Sequence, residues 1–556
     1  MRLRIFAGAI VLSTLAGVGA AAPAAAAPAA AAPVAAQAAA IAPVRPCADL
    51  VGRLDLPGAV TAVESATVVP AQGEDPEHCD VRGFVRSAVR FHLRLPITTY
   101  AGSYLQYGCG GFCGGIFTPE FAECAVRPGR HVAVAATDDG HVGEGVFPFV
   151  DGRWAANNRA ARDDWEFRAP HVLSRAAKAI IAEFYGAPPR RSYFSGCSNG
   201  GREALLLAQR YPDDFDGIIA GAPAAAIGAL AGVYQTWLSR TNTAADGTPI
   251  LAGAKLVALH NAVLAACDGL DGLVDGQLED PRACRFDPGA LRCPAGADRP
   301  DCLTAAQVDA ARKLYAGPTD ERGRRLYPGG QPRGSELAWE GWITPIPEFG
   351  GALAFLLGDN YLRYIGYPIG TPHSSVADFT FTVRDFARLV PESVRGNALS
   401  LDLRRFRAAG GKLIIWHGWS DQAIPPVGTL DYYQRLAQRD GGLAHTRQYA
   451  RVFMVPSMFH CQGGAPLGEF DPFPELVRWV ERGDAPDRVV AVQRDEQGTV
   501  LRSRPVFPYP LRARYDGSGS VDDAANFVPV APARPPRDVI SWVGAGLHAL
   551  PGPVAP

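Results

Sequence analysis

Short apolar runs at residues 131–137, 192–195 and 412–416 each stop abruptly at Gly, Asp or His, and a fourth run occupies 451–455. Buried parallel strands read this way where they deliver polar residues to one end of a sheet. Residues 200–211 follow the second run, and their Ala204, Leu205, Leu207 and Ala208 suit a helix packed on that sheet. Alternating strands and helices predict an α/β fold. From about Ala225 to Leu399 the rhythm fails. Gly, Pro, Trp and closely spaced cysteines take over until the strand pattern resumes at 412. The interruption predicts an inserted lid domain at 225–399, within a core domain built from 47–224 and 400–556.

A chain of 556 residues, 47% of them apolar, exceeds what one core usually serves, in keeping with a domain plus a large insertion. With 54 basic and 56 acidic residues and no long run of either sign, neither nucleic acid nor anionic lipid is expected as a partner. Residues 1–4 carry two arginines, 5–20 are apolar and small residues follow, which predicts a secretory signal peptide over 1–27. The apolar run is shorter than the roughly 20 residues of a spanning helix. The Ala/Pro-rich stretch 28–46 is read as a disordered leader, and the mature protein is expected outside the cell with no membrane segment.

Eleven cysteines suit that oxidising compartment. Short separations predict disulfides Cys47–Cys79, Cys267–Cys284 and Cys293–Cys302. The odd total leaves one thiol free, expected among Cys109, Cys113 and Cys124. Zinc is not expected, because there is no repeated C-x-x-C and the nearby histidines lack ligand spacing.

The candidate chemistry begins at Gly196-Cys197-Ser198-Asn199-Gly200, a G-x-S-x-G motif with a predicted strand before it and a predicted helix after it. The glycines permit the sharp turn that lifts a serine hydroxyl clear of a sheet, and the N–H of Asn199 then points to where an oxyanion would form. A serine needs a base and the base an orienting carboxylate, in the chain order Ser, acid, His. Asp421 lies just past the third apolar run and His460 just past the fourth. Of the histidines beyond Asp421 (His445, His460 and His548), only His460 follows a strand-like run. Cys197 precedes Ser198 and Cys461 follows His460, so if serine and histidine touch, the two cysteines lie close enough to bond. The Gly-rich loop after an early strand makes Gly110 or Gly111 the second oxyanion donor. His417 either lines the acid pocket or is a hydrogen-bonded structural residue. Asp268, Asp271 and Asp275, interleaved with glycine, offer hard oxygen ligands on a tight loop and suit calcium.

GCSNGGRE at 196–203, Asp421 and the His460-Cys461 pair resemble the tannase and feruloyl esterase family. YGCGGFCGG at 107–115, ATDDGH at 136–141 and WHGWSDQAIPP at 416–426 extend the similarity over most of the mature chain. The resemblance implies an α/β-hydrolase fold with a lid and a Cys197–Cys461 disulfide joining the serine and histidine loops. It implies hydrolysis of esters of aromatic acids such as ferulate or gallate, and a structural calcium to which the backbone carbonyls of Leu273 and Gln277 also bind. Hydrolysis of a terephthalate monoester, also found in that family, is the alternative. Ile424 disfavours it by placing an aliphatic wall where that activity goes with an aromatic residue. A catalytically silent calcium-dependent binding protein and a peptidase are the rivals, since a triad alone does not separate ester from amide cleavage. Trp339, Trp342, Phe349, Phe355, Tyr361 and Tyr364 offer either a stacking surface for an aromatic acyl group or the insertion's own core. The oligomeric state is left open.

Overall fold

A computed structural model describes residues 39–116, 129, 131–346 and 350–555. The predicted signal peptide, most of the leader, Cys124 and Phe349 lie outside the described residues. Ten strands form one sheet: β1 (Gly52–Leu54), β2 (Thr61–Val69), β3 (His78–Val85), β4 (Val89–Pro96), β5 (Ser103–Tyr107), β6 (Val132–Thr137), β7 (Arg191–Cys197), β8 (Gly217–Gly221), β9 (Lys412–Gly418) and β10 (Ala450–Val455). Their spatial order is β1-β2-β3-β4-β6-β5-β7-β8-β9-β10. Pairings from β1 to β4, and β4 with β6, are antiparallel; those from β6 through β5, β7, β8 and β9 to β10 are parallel.

Both faces of the parallel half are covered, and for that reason its strands read as continuous apolar runs. Tyr104, Phe194, Ile218, Leu413, Ile415 and Val452 face one core, and Leu105, Tyr193, Ile219, Ile414, Phe453 and Val455 face the other. The principal helices are α1 (Ala169–Tyr185), α2 (Asn199–Arg210), α3 (Ala254–Cys267), α4 (Ala305–Ala316), α5 (Val383–Gly396), α6 (Val427–Arg439) and α7 (Phe473–Arg482). Leu205 and Leu206 of α2 and Ile180, Ile181 and Phe184 of α1 fill the first core, whereas Leu476 and Trp479 of α7 fill the second.

The strands β8 and β9 are parallel neighbours, yet the chain between them runs from 222 to 411 and, among the described residues, adds no strand to the sheet. Its helices form by ordinary local rules. Thr304 and Gln307 cap α4 reciprocally, and Thr382 caps α5. Fully buried arginines weld this segment to the core: Arg202 of α2 donates to the carbonyls of Trp165, Glu166 and Gly396, while Arg162 reaches those of Ile365 and Tyr367.

The turn from β7 into α2 requires that backbone touch backbone. A Cβ on Gly196 would lie 2.4 Å from the carbonyl carbon and oxygen of Gly200. Gly196→Ala is therefore expected to lower stability by about 3 kcal/mol through forced backbone displacement. Gly546→Ala, where a Cβ meets nothing within 4 Å, should change it by less than about 0.5 kcal/mol, as calorimetric melts of both variants would read.

Candidate active site

At the end of β7 the chain turns sharply on Ser198, whose φ of 63° and ψ of −118° lie outside the regions a non-glycine residue ordinarily occupies. The surroundings hold that conformation in place. The Ser198 N–H donates to the Gly221 carbonyl at 3.0 Å, and its own carbonyl accepts from the N–H groups of Arg202 (3.1 Å) and Ala224 (3.0 Å). The half-buried serine thus sits between the carboxyl end of β7 and the amino end of α2.

Beyond β8, the last two strands of the sheet, β9 and β10, deliver the acid and the base. Asp421, fully buried, follows β9 and spends both oxygens on named partners. Oδ1 accepts from the N–H groups of Ala423 (2.7 Å) and Ile424 (2.8 Å); Oδ2 accepts from His460 Nδ1 (2.7 Å) and His417 Nε2 (3.1 Å). Burial opposes ionisation, but the two imidazoles outweigh it and hold the carboxyl well below the usual range. His460, following β10, is held from behind as well: its N–H donates to Gln422 Oε1 at 3.1 Å. The β9 and β10 loops are laced together where Trp419 N–H meets the Val455 carbonyl and Ser420 N–H that of Met458.

A disulfide joins Cys197 to Cys461 with Cα atoms 5.9 Å apart, tying the residue before Ser198 to the residue after His460. Ser198 Oγ makes no hydrogen bond among the described residues; in unliganded sites such contacts commonly tighten only when substrate binds. Disulfides also join Cys47 to Cys79, Cys267 to Cys284 and Cys293 to Cys302. Of the three cysteines among which one free thiol was expected, Cys109 and Cys113 are bonded to each other across the tight turn at Gly110–Gly111, and Cys124 lies outside the described residues. Four residues is separation enough once the turn folds back to a Cα distance of 5.8 Å.

That turn follows β5, the neighbour of β7, and packs on the start of α2: a Cβ on Gly200 would lie 3.0 Å from the carbonyl carbon of Gly108. Gly110 and Gly111 lie in that turn between Cys109 and Cys113, and Cys113 Sγ accepts from Asn199 Nδ2 at 3.3 Å. Behind them, Asn199 Nδ2 donates to Glu203 Oε1 at 2.7 Å, and Arg202 Nε donates to Asn199 Oδ1 at 2.7 Å. His141 of the ATDDGH motif donates from Nε2 to the Phe112 carbonyl at 2.8 Å, anchoring the far side of the turn. Cys109, Cys113, Asp139 and Glu203 place their ligand atoms within 4.8 Å of one another, a possible metal-holding cluster. With the cysteines oxidised it offers no thiolate. Burial and the neighbouring Glu203 push the Asp139 carboxyl well up.

His417 does not line a substrate surface. It is fully buried, with Nδ1 on Thr429 Oγ1 at 2.8 Å and Nε2 directed to Asp421 and the Ile424 carbonyl. Ile424 is 4% exposed and borders a small enclosed cavity, while its backbone serves Asp421 and His417. Of the aromatics in the insertion, Trp339 and Tyr361 are core residues and Phe355 is exposed. Trp342 alone among those described meets the His460 ring, at a centroid distance of 5.6 Å, and its indole donates to Gln235 Oε1 at 3.1 Å. Gln235 in turn donates to the Ala423 carbonyl beside Asp421. Gln235 had no sequence signal, since an isolated glutamine carries no periodicity or motif, whereas Gln422 lay within the stretch 416–426 without being singled out.

In the acidic loop, Asp268 takes the N–H groups of Asp275, Gly276 and Gln277. Burial raises the carboxyls of Asp271 and Asp275, and the charge of Asp268 adds to both. Arg504 offsets Asp275 at 2.5 Å. Asp271, Leu273, Asp275 and Gln277 line one cavity of about 190 Å³, in which Gln277 Oε1 is buried without a partner. Crowded, incompletely neutralised oxygens of this kind fit a hard cation.

A serine lifted from the end of β7, with a buried acid–histidine pair delivered by β9 and β10, fits a hydrolase of the α/β-hydrolase fold, and the family and relatives that follow make it a carboxylic ester hydrolase. The chain belongs to the tannase and feruloyl esterase family, whose model matches residues 75–530. It is 34% identical to an uncharacterized esterase of Xanthomonas campestris pv. campestris over 88% of this chain and 94% of that one. To mono(2-hydroxyethyl) terephthalate hydrolase of Piscinibacter sakaiensis it is 33% identical, over 86% and 90%. The solved structure of feruloyl esterase B from Aspergillus oryzae superposes with a TM-score of 0.73 at 28% identity, covering 86% of this chain and 98% of that one.

Replacing both Cys197 and Cys461 by alanine removes a link across 264 residues, worth roughly 5 kcal/mol by the loop-entropy relation. The melting temperature should fall. Since a misplacement of about 1 Å can cost about 100-fold in rate, kcat on a chromogenic ester should fall more than KM rises.

Proposed function

We propose that the protein is a secreted serine esterase that cleaves esters of aromatic acids, of the feruloyl esterase and tannase kind, through an acyl-enzyme. The observation that carries this reading is the Asp421–His460 pair at 2.7 Å, tethered to the Ser198 turn by the Cys197–Cys461 disulfide. His460 takes the Ser198 proton as the hydroxyl oxygen attacks the ester carbonyl. The resulting oxyanion is held by the N–H of Asn199 and that of Gly110 or Gly111. Collapse expels the alcohol, protonated by His460; water, deprotonated by the same ring, then releases the acid, while Asp421 stabilises the imidazolium throughout. His417 acts one step removed, by positioning Asp421.

The aromatic acyl group is favoured by Trp342, whose ring stands beside His460 where the acyl or leaving group must pass. Relatives named for feruloyl esters and for a terephthalate monoester support the same class. A terephthalate monoester stands as the second substrate candidate. Segment 225–399 serves as the lid. Five disulfides support an oxidising destination. No helix among the described residues is long and apolar enough to cross a membrane. Calcium is assigned to Asp268, Asp271 and Asp275 with the carbonyls of Leu273 and Gln277, where it would fasten the lid loop rather than take part in hydrolysis.

Ser198→Ala should lower kcat by at least about four orders of magnitude and leave the melt nearly unchanged. On the wild type, a panel of feruloyl, galloyl, terephthaloyl and acetyl esters with the matching amides should give the highest kcat/KM for aromatic acyl esters. Acetyl esters cleaved as well, or amides cleaved faster, would reject the substrate reading. Chelation should lower the melting temperature, since saturation at about 100 times Kd is worth about 2.7 kcal/mol. Added calcium should restore the melt of the wild type and not that of Asp271→Ala.

A further inference from the structure

Two adjoining recesses lie where the 225–399 segment meets the C-terminal residues. The first, of about 360 Å³, is lined by Arg282, Arg285, Arg325 and Arg333 and by no carboxylate. The second, of about 330 Å³, shares Arg282 as its wall and adds Arg512, Arg534 and Arg537. Its two carboxylates are already engaged. Asp280 pairs with Arg282 at 2.7 Å and Arg512 at 3.5 Å, and Asp538 pairs with Arg282 at 2.6 Å and accepts from Tyr509 Oη at 2.6 Å.

Arg285, Arg325, Arg534 and Arg537 are exposed and make no ion pair among the described residues. On a chain of net charge −2 this is a segregation of charge, not a reflection of an overall basic protein. Unpaired guanidinium groups held together repel one another, and an occupant with spaced negative charges relieves that cost. Their planar forks match carboxylates bidentately.

We propose that these recesses bind an anionic polysaccharide, a chain of carboxylated sugar rings with one uronate in each recess. The concave, ring-sized shape favours discrete sugar units over a nucleic-acid duplex, whose phosphates lie on a convex backbone. Half-buried prolines at 332, 532 and 536 give apolar walls that suit the faces of sugar rings. The first recess also backs on the loop that carries Asp421, through Trp419 and Pro426. A polymer seated there is held against both the insertion and the core, keeping the enzyme on a polymeric ester. The proposal extends the ester reading but is tested apart from it, because an unesterified oligouronate has no bond for Ser198 to attack.

The experiment is titration calorimetry of the full chain with tetragalacturonate, a neutral tetrasaccharide and a short DNA duplex, at low and physiological salt. Tetragalacturonate should bind at least about tenfold tighter than the neutral sugar, and more weakly as salt rises. Arg285→Glu with Arg325→Glu, and separately Arg534→Glu with Arg537→Glu, should each weaken it about tenfold while kcat on a small soluble ester stays within about twofold. Binding no tighter than that of the neutral sugar, affinity unchanged in both variants, or tighter binding of the duplex would each overturn the proposal.

Discussion

A carboxylate cannot be left alone in a protein interior, and the burial of Asp421 dictates the layout around it. Two backbone N–H groups of its own loop and two imidazoles share its charge. Each of those partners is placed by something else. His417 stands at the end of β9 and is braced by Thr429 of α6. His460 is steered by the disulfide on one side and by Gln422 on the other. The proposed base is therefore oriented by a network whose members have few alternative conformations, as an imidazole that must accept and return a proton requires.

The insertion is part of that network, not a cover laid over it. Gln331 donates to the Gln422 carbonyl at 2.7 Å, and Gln235 connects Trp342 to the loop of Asp421. Contacts that orient the proposed base thus also place the aromatic ring beside it. Changes in the insertion would reach catalysis through hydrogen bonds to the Asp421 loop as well as through the shape of the pocket.

Local chemistry was legible where it repeats or touches along the chain. The four apolar runs lie within β6, β7, β9 and β10, apart from His131 at one margin, and residues 200–211 overlap α2 apart from one residue at each end. Strands β1 to β4 carried no such signal. The antiparallel half leaves many side chains exposed, as along β2, so its strands lack the continuous apolar run of a doubly covered strand.

Sequence alone determined the α/β class, the G-x-S-x-G turn, the chain order of Ser198, Asp421 and His460, and the acidic loop, because each is read from short local runs and their order along the chain. Only the tertiary structure decided that Cys109 pairs with Cys113, that His417 and Ile424 serve Asp421 from within the core, and that Trp342 rather than Trp339 meets His460. It also decided that arginines from the insertion and the C-terminal segment share two recesses. Those outcomes depend on which surfaces meet after sheet order and helix packing are set, and a one-dimensional spacing carries no record of which of its side chains will be enclosed.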